Sequence, residues 1–464
     1  MKQFHPENLD VLTGAARTLA DRLEDKSAVI GVVGLGYVGL PIALEFAKEG
    51  YRTIGVDISV RKVEQLNQGI NFIEDLDDAE VEDAVHAGLL SASATYDALA
   101  DADVIYIAVP TPFNANKDPD LAYIISAGEG IATILAPGKL IILKSTTFPG
   151  TTESYLIPTL DKTGLVAGRD YYIAFSPERV DPGNKVYHTK NTPIVTGGVN
   201  EASTLLAAYT NSRIIDRVYM VDNPRIAELE KLFENIFRSV NIALVNELAL
   251  LCERMGGIDV WEVIEAASTK PFGYMKFTPG PGVGGHCIPI DPYYLSWLAR
   301  EYDFETKFIT LAANVNEGMP YHVCNHVIRE VARQPITLDD ARVLILGASF
   351  KKNVKDLRHS PSEFIMLRLL ESGIQHLDYS DPWAPEYKVG GKTYYSVDLS
   401  PEVIASYTVV VLVTDHDAFD LRDVIEHARH IVDTRNMTLG LRDGRQNITV
   451  LGVSEPRPRF VMEH

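Results

Sequence analysis

The sequence is poor in cysteine and in basic residues, and each shortage excludes a class of protein. Three cysteines among 464 residues are too few for a disulfide framework, so we expect a reducing, cytoplasmic environment. Lysine and arginine total 43 against 63 acidic residues, and the formal charge of -20 argues against a nucleic-acid or membrane-surface binder. An anionic substrate is compatible with this charge, because an acidic protein can hold a local basic pocket.

Long apolar runs are also missing from the sequence. No segment shows the length of a membrane span, and residues 1–26 have the pattern of an amphipathic helix rather than of a signal peptide. We therefore expect no membrane partner. What is present is the composition of a globular protein, with 46% hydrophobic and 23% charged residues, and a length that predicts two or three domains.

A dinucleotide-binding turn is predicted near the start of the chain. An apolar strand at 28–33 leads into the sequence GLGYVG at 34–39, and a helix at 41–50 and a second strand at 52–56 follow. In such a turn the N-terminus of the helix receives a pyrophosphate. The complete order of strand, turn, helix and strand is more specific than the glycine motif alone.

Four residues of this region have distinct predicted roles. Gly34 permits the tight turn, Gly36 lets the backbone approach the pyrophosphate, and Gly39 allows the helix to pack closely on the strand. Asp57 follows the second strand, at the point where a carboxylate binds the ribose 2′-hydroxyl. The region therefore predicts NAD binding.

Further strands are predicted at 103–109, 139–143 and 172–175, and each ends in polar residues. Ligands bind outside the carboxyl ends of the strands in open parallel sheets, so Thr111 and Glu178 are candidate site residues. Alternatively, the polar residues and prolines at these points simply form turns and helix caps. This alternative has more weight for Thr111 than for Glu178.

The chain then becomes helical over residues 223–267. Lys231, Asn235 and Arg238 share one helix face. Taken alone, this spacing is typical of polar residues on the solvent-exposed face of a helix.

One cysteine lies in an unusual loop. Cys287 stands in the sequence PGPGVGGHCIPIDP at 279–292, where glycine and proline predict a rigid loop that a ligand can approach closely. This setting favours an activated nucleophile over the small buried hydrophobe that cysteine usually is. Cys252 and Cys324 lie in apolar helical segments, where we expect them to be buried.

The last third of the chain repeats the first strand and turn in reduced form. A buried strand at 341–347 ends in glycine, and the helices before it, at 292–331, are expected to break near Pro320. A basic cluster follows, made of Lys351, Lys352, Lys355 and Arg358. The cluster indicates either a solvated loop or a phosphate site.

Together these motifs resemble the nucleotide-sugar 6-dehydrogenase family, which includes UDP-glucose, UDP-N-acetylglucosamine and UDP-N-acetylmannosamine dehydrogenases. The resemblance extends over most of the chain, from near Val29 to near Val450, with the motifs in the family's order. These motifs are GLGYVGLP (34–41), VPTP (109–112), KSTT (144–147), PERVDPG (177–183), KLFENIFRSVNIALVNE (231–247), PGPGVGGHCIPIDPYYL (279–295) and FKKNVKDLRHSP (350–361).

The resemblance implies an α/β fold with two Rossmann-like, doubly wound domains joined by a central helical region. The expected boundaries are 1–222 for the NAD-binding domain, 223–334 for the helical domain with the Cys loop, and 335–464 for the UDP-sugar-binding domain. It also implies NAD as the cofactor, no metal, a UDP-N-acetylhexosamine substrate, and a homodimer or higher homo-oligomer.

The resemblance also assigns site residues by position. The catalytic set comprises Cys287 as the nucleophile, with Lys231, Asn235, Asp291, Glu178 and Thr146. The cofactor set comprises Gly34, Gly36, Tyr37, Val38, Gly39, Asp57 and Thr111. The substrate set comprises Arg179, Lys352, Arg358 and Gly284.

Departures from the UDP-glucose dehydrogenase pattern favour the N-acetylhexosamine branch. In the Cys loop His286 replaces a serine, Ile288 a phenylalanine and Ile290 a lysine, and Pro182 stands where a second glutamate is usual. The motif PERVDPG favours UDP-N-acetylglucosamine, with UDP-N-acetylmannosamine and UDP-glucose as alternatives. Arg179 either donates to an acetamido carbonyl or binds a neighbouring carboxylate.

The implied reaction is a four-electron oxidation of the sugar at C6 to the acid, through a thiohemiacetal and a thioester on Cys287. Lys231 and Asp291 are expected to hold a water for the first step, and Glu178 to activate the hydrolytic water. Two other classes stay open from the residues alone. One is a two-electron hydroxy-acid dehydrogenase, which needs no thiol, and the other is a non-catalytic nucleotide-binding regulator.

Overall fold

The computed structural model describes residues 1–73, 76–114, 117–181, 183–184, 186–285, 288–442 and 444–455. The strands in these residues are β1 (Lys2–Gln3), β2 (Ile30–Val33), β3 (Thr53–Val56), β4 (Leu90–Ser93), β5 (Val104–Ile107), β6 (Leu140–Leu143), β7 (Tyr172–Phe175), β8 (Ile194–Gly198), β9 (Val218–Val221), β10 (Arg342–Leu346), β11 (His376–Ser380), β12 (Glu386–Val389), β13 (Lys392–Tyr395), β14 (Val409–Leu412), β15 (Ile431–Asp433) and β16 (Ile448–Val450).

The α-helices are α1 (Gly14–Glu24), α2 (Gly39–Lys48), α3 (Val60–Asn67), α4 (Asp78–His86), α5 (Ala122–Ala132), α6 (Ile157–Leu160), α7 (Glu201–Ser212), α8 (Pro224–Met255), α9 (Val260–Ser268), α10 (Asp291–Ala299), α11 (Lys307–Ala332), α12 (Pro361–Glu371), α13 (Pro401–Ala405) and α14 (Leu421–His427). Short single turns of other helix types lie at Pro6–Val11, Tyr96–Leu99, Thr152–Leu156, Asp161–Thr163 and Arg300–Tyr302.

The chain forms two compact units. The first comprises Met1–Glu234 and Trp297–Tyr302, and the second comprises Asn235–Ser296 and Asp303–His464. The boundary between them falls inside helix α8.

The first unit is built on a nine-stranded sheet in the order β1-β9-β8-β7-β6-β5-β2-β3-β4. Strands β2 to β7 are parallel and follow the Rossmann order. Five of them, β2, β3, β5, β6 and β7, are buried along their whole length, as expected where helices cover both faces of a parallel sheet. The chain order reverses between β2 and β5, which is where ligands bind in such sheets.

The second unit contains a five-stranded parallel sheet in the order β11-β10-β14-β15-β16, with its own reversal between β10 and β14. A two-stranded antiparallel ribbon, β12 and β13, accompanies it. Cys324 lies in the apolar core that covers this sheet, and Cys252 lies in a smaller cluster between α8 and α9. Both cysteines are buried, which confirms the sequence prediction for them.

The predicted helix break near Pro320 is wrong, because α11 continues through this residue. Met319 and Pro320 are both buried, and the proline ring packs 3.4 Å from the position of a Cβ on Gly282. Tertiary packing therefore outweighs the backbone hydrogen bond that proline removes. The break instead lies between α10 and α11, at the turn Arg300–Tyr302.

Helix α8 has the length and apolar composition of a membrane span, so the expectation that no segment reaches this length is wrong for α8. Within its most apolar window, 39% of the residues are buried in the structure. A core helix of a globular protein meets the same criterion, so this feature alone is weak evidence for a membrane. The helix also carries two buried acids, Glu228 and Glu253, and both are hydrogen-bonded within the chain.

Candidate functional site

The turn between β2 and α2 has the geometry that a dinucleotide requires. Gly34 has a φ of +92°, and a Cβ there would lie 2.5 Å from the carbonyl oxygen of Ala108. A Cβ on Gly39 would lie 1.8 Å from the oxygen of Gly34, so only glycine fits at these positions. Beside Gly36 no atom of the described residues lies within 4 Å of such a Cβ. This open space at the N-terminus of α2 fits a pyrophosphate.

Asp57, directly after β3, is held beside the same turn. Its Oδ2 accepts the backbone N–H of Leu35 at 2.9 Å and lies 3.3 Å from the ammonium of Lys62. Its Oδ1 accepts the N–H of Ser59 at 2.9 Å. The carboxylate is thus fixed next to the glycine turn, where an acceptor for the ribose 2′-hydroxyl is needed.

The other predicted cofactor residues line the same edge of the sheet. Tyr37 and Val38 continue the glycine turn and are half-buried, and Thr111 is half-buried after β5. Ser145, which follows β6, donates from Oγ to the carbonyl oxygen of Val109 at 2.8 Å. Ser145 therefore acts as a turn former that fixes the segment before Thr111, while direct contact of Thr111 with NAD stays a prediction.

The ends of β6 and β7 bring a lysine and a glutamate together. The ammonium of Lys144 is buried, 3.6 Å from Oε2 of Glu178 and 3.3 Å from the carbonyl oxygen of Pro177. The other carboxylate oxygen, Oε1, accepts the backbone N–H groups of Arg179 and Val180 at 2.8 and 2.9 Å. Burial lowers the pKa of Lys144, and the nearby carboxylate opposes that shift.

Two further predicted catalytic residues lie in the first unit. Thr146 is half-buried in the loop after β6, two residues beyond Lys144. Lys231 is half-buried on α8 and close enough that its charge also lowers the pKa of Lys144. The ammonium group of Lys144 beside Glu178 and that of Lys231 near Lys144 create a field that favours a developing negative charge.

Arg179 contacts acids. Its guanidinium forms ion pairs with Glu230 and, at 2.7 Å, with Glu234, and it donates to the carbonyl oxygen of Pro193 at 2.7 Å. Of the two roles that the sequence leaves open, this arrangement favours the carboxylate partner over the acetamido group. A contact of Arg179 with substrate stays a prediction.

Glu228 was missed by the sequence analysis, yet it anchors the loop after β6. The side chain is fully buried. Its oxygens accept the N–H of Gly150 at 2.5 Å and the N–H and hydroxyl of Thr152 at 2.9 and 2.7 Å. Burial raises the pKa of Glu228, while these hydrogen bonds favour its charged form. The available signal was an acidic residue on the apolar face of a predicted helix, three positions before Lys231.

The second unit holds the remaining predicted catalytic residues. The amide of Asn235 donates to Oδ2 of Asp291 at 2.5 Å, and Asp291 is buried at the start of α10. Cys287 and His286 lie outside the described residues, and so does Pro182. The nucleophilic role of Cys287 therefore stays a prediction.

The loop that leads to Cys287 packs against the basic segment after β10. A Cβ on Gly284 would lie 2.5 Å from the Cβ of Phe350, so this position requires glycine. The N–H of Gly285 donates to the carbonyl oxygen of Arg358 at 3.0 Å. The structure thus brings together two motifs that are distant in the sequence.

The two basic residues of the predicted substrate set that lie in the second unit, Lys352 and Arg358, have acidic neighbours. The ammonium of Lys352 lies 2.6 Å from Asp417, and the Nε of Arg358 donates to Asp356 at 2.9 Å. The two basic side chains are 43% and 48% exposed. Because these pairs are open to solvent, they can exchange an acidic partner for a phosphate.

Comparisons with known proteins agree with this arrangement. Models of the UDP-glucose/GDP-mannose dehydrogenase family match as NAD binding domain at residues 28–220, central domain at 225–318 and UDP binding domain at 344–439. A UDP-N-acetyl-D-glucosamine 6-dehydrogenase from Pseudomonas aeruginosa is 38% identical over 361 residues, which cover 77% of this chain and 83% of the relative.

Two relatives act on the manno epimer according to their names. A UDP-N-acetyl-D-mannosamine dehydrogenase from Salmonella typhi is 36% identical over 434 residues, which cover 88% of this chain and 98% of the relative. The solved structure of a UDP-D-ManNAc dehydrogenase from Pyrococcus horikoshii superposes with a TM-score of 0.83 at 32% identity, covering 91% of this chain and 99% of that one.

These matches confirm the resemblance, the α/β fold class and NAD as the cofactor. They exclude the non-catalytic regulator and the simple hydroxy-acid dehydrogenase. The chain is an NAD-dependent UDP-sugar dehydrogenase and belongs to the UDP-glucose/GDP-mannose dehydrogenase family.

Proposed function

We propose that this enzyme oxidises UDP-N-acetylglucosamine at C6 to the uronic acid, a four-electron reaction that reduces two NAD per sugar. The observation that carries the proposal is the buried pair of Lys144 and Glu178 at the strand ends, with Lys231 in the same field. A carboxylate fixed by an ammonium and two N–H groups is suited to activate a water for hydrolysis.

The first half of the reaction makes an aldehyde. The glycine turn and Asp57 would hold NAD, which would supply the hydride acceptor for both oxidations. The hydrogen bond from Asn235 fixes the carboxylate of Asp291, which we assign to accepting the proton of the C6 hydroxyl through a water. Lys231 supplies positive charge for the developing alkoxide.

The second half proceeds on a covalent intermediate. The thiolate of Cys287 adds to the aldehyde carbon to form a thiohemiacetal, whose oxidation leaves a thioester. Glu178 deprotonates the water that hydrolyses the thioester, which frees the acid and the thiolate. A thiolate that must stay reduced in every turnover is suited to a reducing compartment, so we expect the enzyme in the cytoplasm.

The choice of sugar rests on the Cys loop and on sequence identity. Ile288 and Ile290 replace residues that are typical of UDP-glucose dehydrogenases, and the Pseudomonas aeruginosa relative carries the N-acetylglucosamine name. Arg179 no longer supports this choice, because its guanidinium faces acids. UDP-N-acetylmannosamine is the second candidate, since the Salmonella typhi and Pyrococcus horikoshii relatives carry that name.

A panel of three UDP-sugars tests the assignment. We expect kcat/KM, followed as NADH formation, to be highest for UDP-N-acetylglucosamine and low for UDP-glucose, because polar groups that pair with the acetamido group are left unsatisfied without it. A higher value for the manno epimer would move the assignment within the N-acetylhexosamine branch. A higher value for UDP-glucose would contradict the branch.

We also propose a homodimer that pairs through α8. Large apolar side chains are exposed along this helix at intervals of three, four or seven residues, which correspond to one or two helical turns and keep them on one face. They are Ile226, Leu229, Phe233, Phe237, Leu244, Leu251 and Met255. A second copy offers the matching stripe, because a two-fold axis places the same surface on both sides. Leu244→Glu should give a monomer by light scattering, Leu439→Glu should not, and an unchanged mass of the first variant would contradict this interface.

A further inference from the structure

Three side chains of the second unit bring one metal-ligating atom each to a common point. They are Glu253 on α8 and the pair His322 and His326 on α11. Nε2 of His322 lies 2.8 Å from Oε2 of Glu253, Nε2 of His326 lies 3.1 Å from the same oxygen, and the two Nε2 atoms are 3.0 Å apart. None of these residues belongs to the catalytic, cofactor or substrate sets.

Hydrogen bonds between two neutral imidazoles and the carboxylate of Glu253 do not satisfy this cluster. A neutral imidazole carries a hydrogen on only one ring nitrogen, and each Nε2 here faces both the other Nε2 and the carboxylate. If both Nε2 atoms carry hydrogens, the two N–H groups face each other at 3.0 Å. If one lacks its hydrogen, its lone pair faces a carboxylate oxygen. One cation at the common point removes both conflicts.

The spacing of the three atoms suits a small divalent ion. Two ligand atoms that each lie about 2.1 Å from zinc, at an angle of about 90–110°, are roughly 3.0–3.4 Å apart. The separations of 3.0 and 3.1 Å lie at the short end of that range, and the separation of 2.8 Å lies just below it. Two imidazole nitrogens and one carboxylate oxygen are donors that zinc and neighbouring transition metals prefer over calcium or magnesium.

We propose that Glu253, His322 and His326 bind one divalent transition-metal ion, with zinc as the expected occupant. The two histidines stand four residues apart and so project from the same face of α11. The side chains of Glu253 and His326 are 7% and 8% exposed, whereas that of His322 is 20% exposed. Solvent therefore reaches the site at His322, where a water completes the coordination.

The ion has a structural role, because the site joins three segments of the unit. Besides the histidines, Glu253 accepts the N–H of Gly452 at 2.8 Å through Oε1, and its backbone oxygen accepts the hydroxyl of Ser454 at 2.7 Å. The ion therefore links α8 and α11 to the segment that follows β16. Binding that requires the folded arrangement stabilises it, since the unfolded chain lacks the preformed site.

Cobalt is the probe for the first test. Tag-free enzyme is treated with EDTA, dialysed and titrated with Co²⁺, and its visible absorption is recorded. We expect one Co²⁺ per chain, without the near-ultraviolet band of a thiolate ligand, since no cysteine belongs to the set. The titration is repeated in Cys287→Ala enzyme, so that the reactive thiol is excluded as a ligand.

His322→Gln should abolish the cobalt spectrum, and His86→Gln is the matched control. His86 is also a histidine beside an acid, because it lies four residues from Glu82 on α4, but that pair is exposed. A thermal melt gives a second readout that does not depend on colour. We expect Zn²⁺ to raise Tm by about 3 °C or more in wild type and His86→Gln, and not in His322→Gln.

Two results would overturn the proposal. One is the absence of saturable Co²⁺ uptake by the EDTA-treated wild type together with an unchanged Tm in Zn²⁺. The other is a folded His322→Gln variant that binds Co²⁺ like wild type. If that variant does not fold, a competition experiment on the wild type replaces it. Zn²⁺ is added to the Co²⁺-loaded enzyme, and we expect the visible band to be lost at one equivalent.

Discussion

The ammonium of Lys144 lies 3.6 Å from the carboxylate of Glu178, at the ends of two adjacent parallel strands. Both groups are held by the backbone, Lys144 by the carbonyl oxygen of Pro177 and Glu178 by two N–H groups. The pair is thus fixed before any ligand arrives. Because the pair is preorganised, we expect mutation of Glu178 to give the clearest effect on catalysis.

Glu178→Gln should trap the enzyme after its oxidation steps. The amide cannot deprotonate the hydrolytic water, so we expect steady-state turnover to fall by about 10²–10⁴-fold. A rapid burst of NADH should precede the slow phase, and mass spectrometry should detect a sugar adduct on Cys287. Exposed Glu82→Gln serves as the control. Turnover within tenfold of wild type, with no burst, would show that Glu178 is not this base.

Asp57→Ala should weaken the preference for NAD over NADP. In wild type we expect a preference on the order of a hundredfold or more, because the buried carboxylate repels a 2′-phosphate. Lys62 lies 3.3 Å from Asp57, and in the variant its ammonium becomes available to that phosphate. Values of kcat/KM for both cofactors measure the change. Asp57→Ala/Lys62→Ala should lose the gain with NADP, and comparable wild-type values for both cofactors would contradict the assignment.

Glu228→Gln should destabilise the first unit and slow catalysis. The amide group would face the N–H of Gly150, which loses its buried acceptor, at a cost of about 1–3 kcal/mol. The loop carrying Thr146 should shift, so kcat should fall more than the affinity for NAD. Thermal melts and steady-state rates measure both effects, with the exposed Glu247→Gln on the same helix as the control. An unchanged Tm and kcat would show that Glu228 does not position the loop that carries Thr146.

The stability of the enzyme should depend on pH through Glu230. Burial raises the pKa of Glu230 to about 7, with Glu234 adding to the shift and Arg179 opposing it. Between its ordinary value of 4.5 and about 7, the folded chain holds a proton that the unfolded chain has lost. The contribution of this group to stability is therefore complete at low pH and is lost as pH rises through that window.

Glu230→Gln stays neutral throughout, so its Tm should rise relative to that of wild type between pH 5 and pH 8. Melts of both proteins across this range measure the difference. Asp170→Asn is a suitable control, because Asp170 is a half-buried acid whose pKa is lowered rather than raised. A constant difference between Glu230→Gln and wild type would show that Glu230 titrates like a solvated acid.

The nucleotide turn could be predicted from the sequence because all its determinants are local. Gly34, Gly36 and Gly39 stand at the junction of a strand and a helix. The positive φ of Gly34, the close contacts of Gly34 and Gly39, and the open space beside Gly36 follow from that order. Strand positions were predicted within a few residues for the same reason, since buried parallel strands are continuous apolar runs.

Features that depend on distant contacts could not be predicted. Glu228 meets Thr152 across 76 residues, and Glu253 meets His326 across 73. Pro320 stays within a helix only because its ring packs in the core of the second unit. For Arg179 the sequence offered two partners, and only the fold shows the carboxylates beside it. In each case tertiary packing, rather than local pattern, determines the outcome.

The measurement that tests the central claim most directly is the ratio of NADH formed to UDP-N-acetylglucosamine consumed. The account predicts a ratio of two, with the uronic acid as product and no free aldehyde, and it predicts that Cys287→Ala forms no acid while still binding NAD and UDP-sugar. A ratio of one with a released aldehyde, or near-normal acid production by Cys287→Ala, would contradict a four-electron oxidation through a covalent thioester.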